Sequence, residues 1–178
     1  MSASFKQTQD ALNKFAKYVI QQARTNLTKG GKYGTHNLSS DLYGSLGFVP
    51  AKAGANSFSL EFYMLPYGEF LDKGVHGKKS SYIEARNSPY AYTNKKPPMQ
   101  PLMEWAKARN IRLRDEKGRY KKGNYRTIGF ILQKSIYEKG IKPSLFFTKP
   151  FEKAFDRLPE ELIERFSLDI DNLLEFTT

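Results

Sequence analysis

The chain has 178 residues and no cysteine, a length that fits one domain with a long insertion, buries a normal core and rules out disulfides, thiolate nucleophiles and cysteine-ligated zinc. Its formal charge is +11, yet residues 148–178 hold four basic and eight acidic side chains, which leaves +15 on the rest. A split of this kind attracts polyanions, or lets copies of one protein meet head to tail.

The opening Met1-Ser2-Ala3-Ser4-Phe5-Lys6 lacks the apolar core of a signal peptide, and no run is long enough to span a bilayer. A soluble protein made inside a cell, with no membrane partner, is expected. Leu12, Phe15, Ala16, Val19, Ile20, Ala23 and Leu27 then recur at three- and four-residue steps, which predicts a long amphipathic helix. Ser4 and Gln7 have capping-box spacing at its start, and Lys29-Gly30-Gly31 ends it. Residues 38–48 read as a short capped helical turn running into a strand, and Gly54-Ala55-Asn56 as a hairpin turn.

Phe58, Leu60, Phe62 and Met64 alternate with Ser57, Ser59, Glu61 and Tyr63, the period of a half-buried strand that Pro66 closes. Tyr67 to Gly74 predicts a short helix stopped by glycine. The stretch 75–98 has no sustained period and reads as a long surface loop. Pro101 suits the first turn of a helix that turns Leu102, Trp105 and Ala106 inward. A second loop, 112–126, carries Arg112, Arg114, Lys117, Arg119, Lys121, Lys122 and Arg126, with Asp115-Glu116-Lys117-Gly118 as its turn.

Thr127 is expected to cap a helix with Ile128, Ile131, Leu132 and Ile136 on one face, ended by Gly140. Leu145-Phe146-Phe147 reads as a short buried strand. Pro150 opens the last helical region, with Phe151, Ala154, Phe155 and Leu158 as its apolar face. Leu162, Ile163, Phe166, Ile170, Leu173 and Leu174 continue the pattern beyond Pro159, so the proline marks either a kink or two abutting helices. The fold class is therefore α+β: a small antiparallel sheet packed by a long N-terminal helix and a C-terminal helix, with an insertion at about 75–140.

Chemistry-bearing patterns are sparse. His36 and His76 are the only imidazoles, and neither has metal-ligand spacing to another. Glu69, Asp72 and His76 are close in sequence and resemble a hydrolytic cluster, although carboxylates three residues apart on a short helix are ordinarily a solvated face. There is no Gly-x-Ser-x-Gly elbow, phosphate loop or dinucleotide fingerprint. Neither catalysis, a cofactor nor a metal is expected. The basic loop, with Tyr120 and Tyr125, is suited to gripping a nucleic-acid strand or to contacting protein neighbours. Tyr82, Tyr90 and Tyr92 serve protein interfaces at least as well as base stacking.

Three segments, in this order, resemble the bacteriophage tail-completion or head–tail joining (neck) family, including its minor tail proteins. Asp41-Leu42-Tyr43-Gly44-Ser45-Leu46 is similar to the family's early Gly-x-Leu-x-x-Ser-like step, with Asp41 where a glycine is usual. The stretch from Tyr67 to Gly77 resembles its central Tyr-Ala-x-x-x-Glu-x-Gly element, with the acidic residue earlier, at Glu69. Lys149-Pro150-Phe151-Glu152-Lys153-Ala154 matches its closing Pro-Phe-x-x-Ala step. Leu102-Met103-Glu104-Trp105, and Ile128 through Gly140-Ile141, look like an insertion found in some members.

The resemblance implies a structural virion protein, made in the host bacterial cytoplasm and placed in the neck or tail. It implies a homo-oligomer ring around the DNA path, with portal, adaptor or tail proteins as neighbours and non-specific contact with packaged DNA. The loops 75–98 and 112–126 are then interface arms, with Tyr82, Tyr90, Tyr92, Arg112, Arg114, Arg119, Lys121 and Lys122 as interface residues. The alternative is a free, sequence-independent nucleic-acid-binding protein that uses the basic loop 112–126.

Overall fold

The structure, a computed structural model, describes residues 5–29, 41–53, 57–79 and 82–175. In chain order its elements are α1 (Lys6–Thr28), α2 (Asp41–Ser45), β1 (Gly47–Ala53), β2 (Phe58–Tyr63), α3 (Tyr67–Lys73), β3 (Val75–His76), a 3-10 turn (Ile83–Ala85), α4 (Met99–Ala108), α5 (Tyr125–Lys139), β4 (Gly140–Ile141), α6 (Thr148–Phe155) and α7 (Leu158–Glu175). The mixed α+β class with a long first helix is as the periodicities predict. The chain divides into two compact units, Met1–Gly68 with Leu145–Thr178, and Glu69–Ser144.

In the first unit the α1 stripe is buried as expected: Ala16, Val19, Ala23 and Leu27 have no exposed surface. Leu12, Phe15 and Val19 form a core with Ala51 of β1 and Leu158 of α7, and Phe58, Leu60, Phe62, Phe147, Phe151, Ala154 and Leu162 pack onto it. Phe15 meets Phe151 edge-on at 5.5 Å between ring centroids, and Phe62 meets Phe147 at 5.3 Å. Each such pair adds about 0.5–1.5 kcal/mol to the burial of its rings. The alternation of β2 is realised, with Phe58, Leu60 and Phe62 turned toward the core and Ser59, Glu61 and Tyr63 outward.

β1 and β2 pair antiparallel from Gly47↔Tyr63 to Val49↔Glu61, then shift register to Lys52↔Ser59. Pro50, which has no N–H for the ladder, lies in this irregularity, and the neighbouring Ala51 N–H donates instead to Asn13 Oδ1 at 2.8 Å. A Cβ on Gly47 would strike the Tyr63 ring, so glycine lets the tyrosine lie across the strand. The expected turn at Gly54-Ala55-Asn56 lies outside the described residues, as do Ser4 of the capping box, His36 and the side chains of Leu173 and Leu174.

The N-terminus of α1 is satisfied from a distance. Asp169 of α7, 3% exposed, accepts from Gln7 N at 3.1 Å, Thr8 N at 2.9 Å and Thr8 Oγ1 at 2.8 Å. The carboxylate takes N–H groups that have no partner within the helix and sits at the positive end of its dipole.

Several local expectations are corrected. Leu145-Phe146-Phe147 is not a strand: Leu145 has φ +52° and Phe146, 1% exposed, is the buried pivot of a turn into α6. Of the two alternatives offered at Pro159, the structure has the abutting helices, broken at Asp156 and Arg157, with the proline in the first turn of α7 where its missing N–H costs nothing. Thr127 is not the cap of α5. Asn124 is, its Oδ1 accepting from Thr127 N at 2.8 Å and Thr127 Oγ1 at 3.0 Å.

In the second unit α4 and α5 pack together with Ala106 and Ile128 buried, and Pro101 stands in the first turn of α4. Gly129 allows the approach, because a Cβ there would strike Met103. Ile131, expected inward, is 48% exposed. β3 and β4 pair through Val75↔Ile141 and His76↔Gly140. The loop at 75–98 is not without structure. His76 N donates to Tyr90 O at 2.8 Å, Tyr92 N donates to His76 O at 2.9 Å, and Ser88 Oγ donates to Gly74 O at 2.7 Å.

Candidate functional site

The basic loop folds into a small hairpin. Lys121 N donates to Leu113 O at 2.9 Å and Asp115 N to Arg119 O at 2.8 Å, around a bridge between Arg114 and Tyr120. The Asp115-Glu116-Lys117-Gly118 turn is at the tip, as its residue types predict. Gly118 N donates to Asp115 O at 2.9 Å, and Gly118 takes φ +78°, a conformation a side chain would strain. Asp115 also ties the tip with its side chain, accepting from Arg119 N at 2.8 Å and from Arg119 Nε at 3.3 Å.

Not every cation here is available to a partner. Arg114 donates to Gly118 O at 2.9 Å and Tyr120 Oη at 3.1 Å, with its guanidinium 4.5 Å from the Tyr120 ring centre. Arg112 lies 5.6 Å from the same ring and donates to Asn110 Oδ1 at 3.3 Å. Tyr120, 65% exposed, is thus an aromatic plate held by two guanidinium groups. Lys117, Lys121, Lys122 and Arg126 are exposed and form no ion pair among the described residues.

The tyrosines separate by environment. Tyr82 is exposed. Tyr90 is half-buried, its ring 4.5 Å from that of Phe70 and its hydroxyl donating to Glu69, a bond that raises its pKa above the ordinary phenol value. Tyr92 is half-buried 6.2 Å from Tyr137, and burial pushes its phenol up. The Tyr137 ring in turn has Lys78 Nζ at 5.6 Å and Lys96 Nζ at 5.8 Å, a second aromatic–cation cluster that the sequence reading missed. Its only sequence signal is Tyr137 at the end of α5, and nothing local links it to residues forty and sixty positions earlier.

The Glu69, Asp72 and His76 trio is not a solvated face. Glu69 is exposed and engaged by Tyr90, whereas Asp72 is 3% exposed and His76 belongs to β3. Among the described residues, no group of three His, Asp or Glu side chains is placed to hold a metal ion, and no helix is long and apolar enough to cross a membrane. An open groove of about 640 Å³ lies in the first unit, lined by Lys17, Arg24, Tyr43 and Tyr63 among others. Its guanidinium is partly engaged: Arg24 donates to Leu46 O at 2.9 Å through one terminal nitrogen and lies 5.1 Å from the Tyr43 ring, while its buried Nε has no partner among the described residues.

The described surface also carries unpaired negative charge. On α7, Glu160, Glu164 and Asp171 are exposed and lie on one face by helical spacing, flanked by Ile163 (70% exposed) and Leu168 (39%). No protein-family model matches this chain, and neither a curated protein nor a solved structure does.

Proposed function

We propose that this protein is a structural component of a bacteriophage virion, placed at the neck or tail, where it acts by assembling as a ring around the DNA path instead of by catalysis. Portal, adaptor or tail proteins are its neighbours. The observation that carries the reading is the hairpin at 112–122, a folded, exposed arm with cations and an aromatic plate at its surface. Such a protruding element suits insertion between subunits, since an interface core favours aromatic and arginine side chains. The three family-like segments add support. Two of them build the first unit, where Leu42 is 2% exposed and Phe151 and Ala154 pack on the core, while all of the central segment but Tyr67 and Gly68 belongs to the second unit.

The test is light scattering on the full chain after size exclusion, at low and high salt, with the eluted peaks viewed by negative-stain microscopy. Closed rings are the expected result. A monomer at every concentration that also fails to join the ends of purified tails or filled heads would overturn the reading.

A second reading has its own observation. Tyr120 beside Lys121 and Lys122 is a stacking plate next to unpaired cations, the combination that holds a single nucleic-acid strand. It predicts tight binding of an oligonucleotide by the monomer, falling steeply as salt rises.

A further inference from the structure

We infer that the hairpin at 112–122 and the outward face of α7 are the two halves of one self-contact, the hairpin of one copy lying along α7 of the next. The inference rests on the assembly reading above and names the surfaces that would carry it.

Charge is the first argument. Residues 112–126 hold seven basic and two acidic side chains, whereas α7 holds six acidic side chains and one basic, so the two carry +5 and −5. One of the six, Asp169, is spent inside the fold on α1. Glu160, Glu164 and Asp171 are exposed and meet no cation at ion-pair distance among the described residues, and neither Lys121 nor Lys122 meets a carboxylate. A chain that leaves opposite charges unpaired on two elements attracts a second copy of itself, and the contact it makes is heterologous.

Shape is the second argument. From Glu160 to Asp171 the helix face runs about 16 Å at 1.5 Å per residue. The hairpin arm from Arg112 to its tip at Lys117 runs about 17 Å at 3.3 Å per residue. Apolar surface is matched as well. The exposed Tyr120 ring stands among the hairpin cations, and Ile163 and Leu168 border the α7 carboxylates. Ile163, at 70% exposure, is the most exposed of the described large apolar side chains on α7 and gains most among them from being covered.

A strip of this length buries well under the roughly 1,200 Å² of a stable pair, so a single contact is weak. Closure of a ring makes each copy contribute two contacts, and the last bond formed is intramolecular. Such an assembly forms sharply with concentration and is loosened by salt.

The experiment is a charge swap in the full chain, read by sedimentation velocity at low and high salt. Three variants are compared: E160K/E164K/D171K, K121E/K122E, and all five substitutions together. All five side chains are exposed, and matching urea midpoints for wild type and variants establish that the fold is kept. Each single-side reversal should weaken self-association by on the order of a hundredfold, because Lys121 and Lys122, or the three α7 carboxylates, then meet side chains of their own sign. The five-fold variant, and a mixture of the two single-side variants, should associate about tenfold more tightly than either single-side variant alone, because the exchanged side chains again meet the opposite sign. Rings that form regardless of either reversal would overturn this contact and leave the assembly reading standing on other faces. A wild-type monomer that binds an oligonucleotide, with binding lost in K121E/K122E, would overturn both and give the hairpin to nucleic acid.

Discussion

Replacing Asp169 by alanine removes one acceptor from three donors at once: Gln7 N, Thr8 N and Thr8 Oγ1. Both Asp169 and Thr8 are 3% exposed, so water does not readily replace what is lost. Bonds to a charged group are worth about 1.5–3 kcal/mol net, and the two to Thr8 are buried, so together they contribute about 3 kcal/mol at the low end of that range. The part-buried bond to Gln7 adds about 0.5 kcal/mol at its greater exposure. Against this, alanine no longer requires a carboxylate to be desolvated, a relief of about 1 kcal/mol. The expected cost of Asp169→Ala is therefore about 2–3 kcal/mol, and Asp169→Asn, which keeps one carbonyl oxygen, costs about half of that. Urea unfolding followed by far-UV circular dichroism reads the change as a lower midpoint at constant slope. Amide exchange reads its place, because Gln7 and Thr8 should lose protection before the middle of α1. Combining Asp169→Ala with Thr8→Ala should cost about 1 kcal/mol less than the sum of the two. A loss below about 0.5 kcal/mol for Asp169→Ala, or strict additivity with Thr8→Ala, would refute the long-range cap.

Three further outcomes follow from the same structure. Gly140→Ala should destabilise by more than about 2 kcal/mol, since φ is +83° and the new Cβ would strike Val75 O across the β3–β4 pair; an unchanged urea midpoint would contradict this. Gly44→Ala should instead stabilise by about 0.5–1 kcal/mol, because it lies in α2 with nothing within 4 Å of its Cβ position, and the same assay shows the opposite sign. Tyr90 donates its hydroxyl to Glu69, which favours the protonated phenol and places its pKa above the ordinary 10.0. A raised pKa is a contribution to stability that is complete below the unfolded value and lost as pH rises through the folded value, so it disappears only in strongly alkaline solution. Ultraviolet titration of Glu69→Gln should show one tyrosine moving down toward the ordinary range, and an unchanged curve would remove the assigned cause.

What was legible in the sequence is what local periodicity and turn chemistry encode. The α1 stripe, the alternation of β2 and the Asp115–Gly118 tip each depend on residues within a few positions of one another. The misplaced details have equally local causes. Asn124 and Thr127 are both capping residues three positions apart, and only the backbone decides which stands outside the helix. Leu145-Phe146-Phe147 is an apolar run too short to separate a strand from a buried turn. Asp169 could not be read as a cap, because its donors are more than 160 residues away. The clustering of Lys78, Lys96, Tyr92 and Tyr137 likewise depends on β3, β4 and α5 meeting, and two-residue strands carry no periodic signal. The charge imbalance between the basic loop and the acidic last helix was visible from composition. Which carboxylates face outward, and which one is spent inside the fold, was not.

The first unit is written in two pieces, separated by the contiguous stretch Glu69–Ser144. During synthesis this imposes an order. The second unit is synthesised before any of α6 or α7 exists, while the apolar stripe of α1 waits without the cover of Phe151 and Leu158 and Thr8 without its carboxylate. Bringing Asp169 to Thr8 closes a loop of about 160 residues, whose entropy rises only with the logarithm of length, so the delay set by translation outweighs the closure itself. A ribosome stalled within α6 would therefore hold a chain whose first helix is a target for chaperones or for a neighbouring nascent chain. Emergence of α6 and α7 is then the step at which the cover of α1 is completed and the molecule stops being sticky.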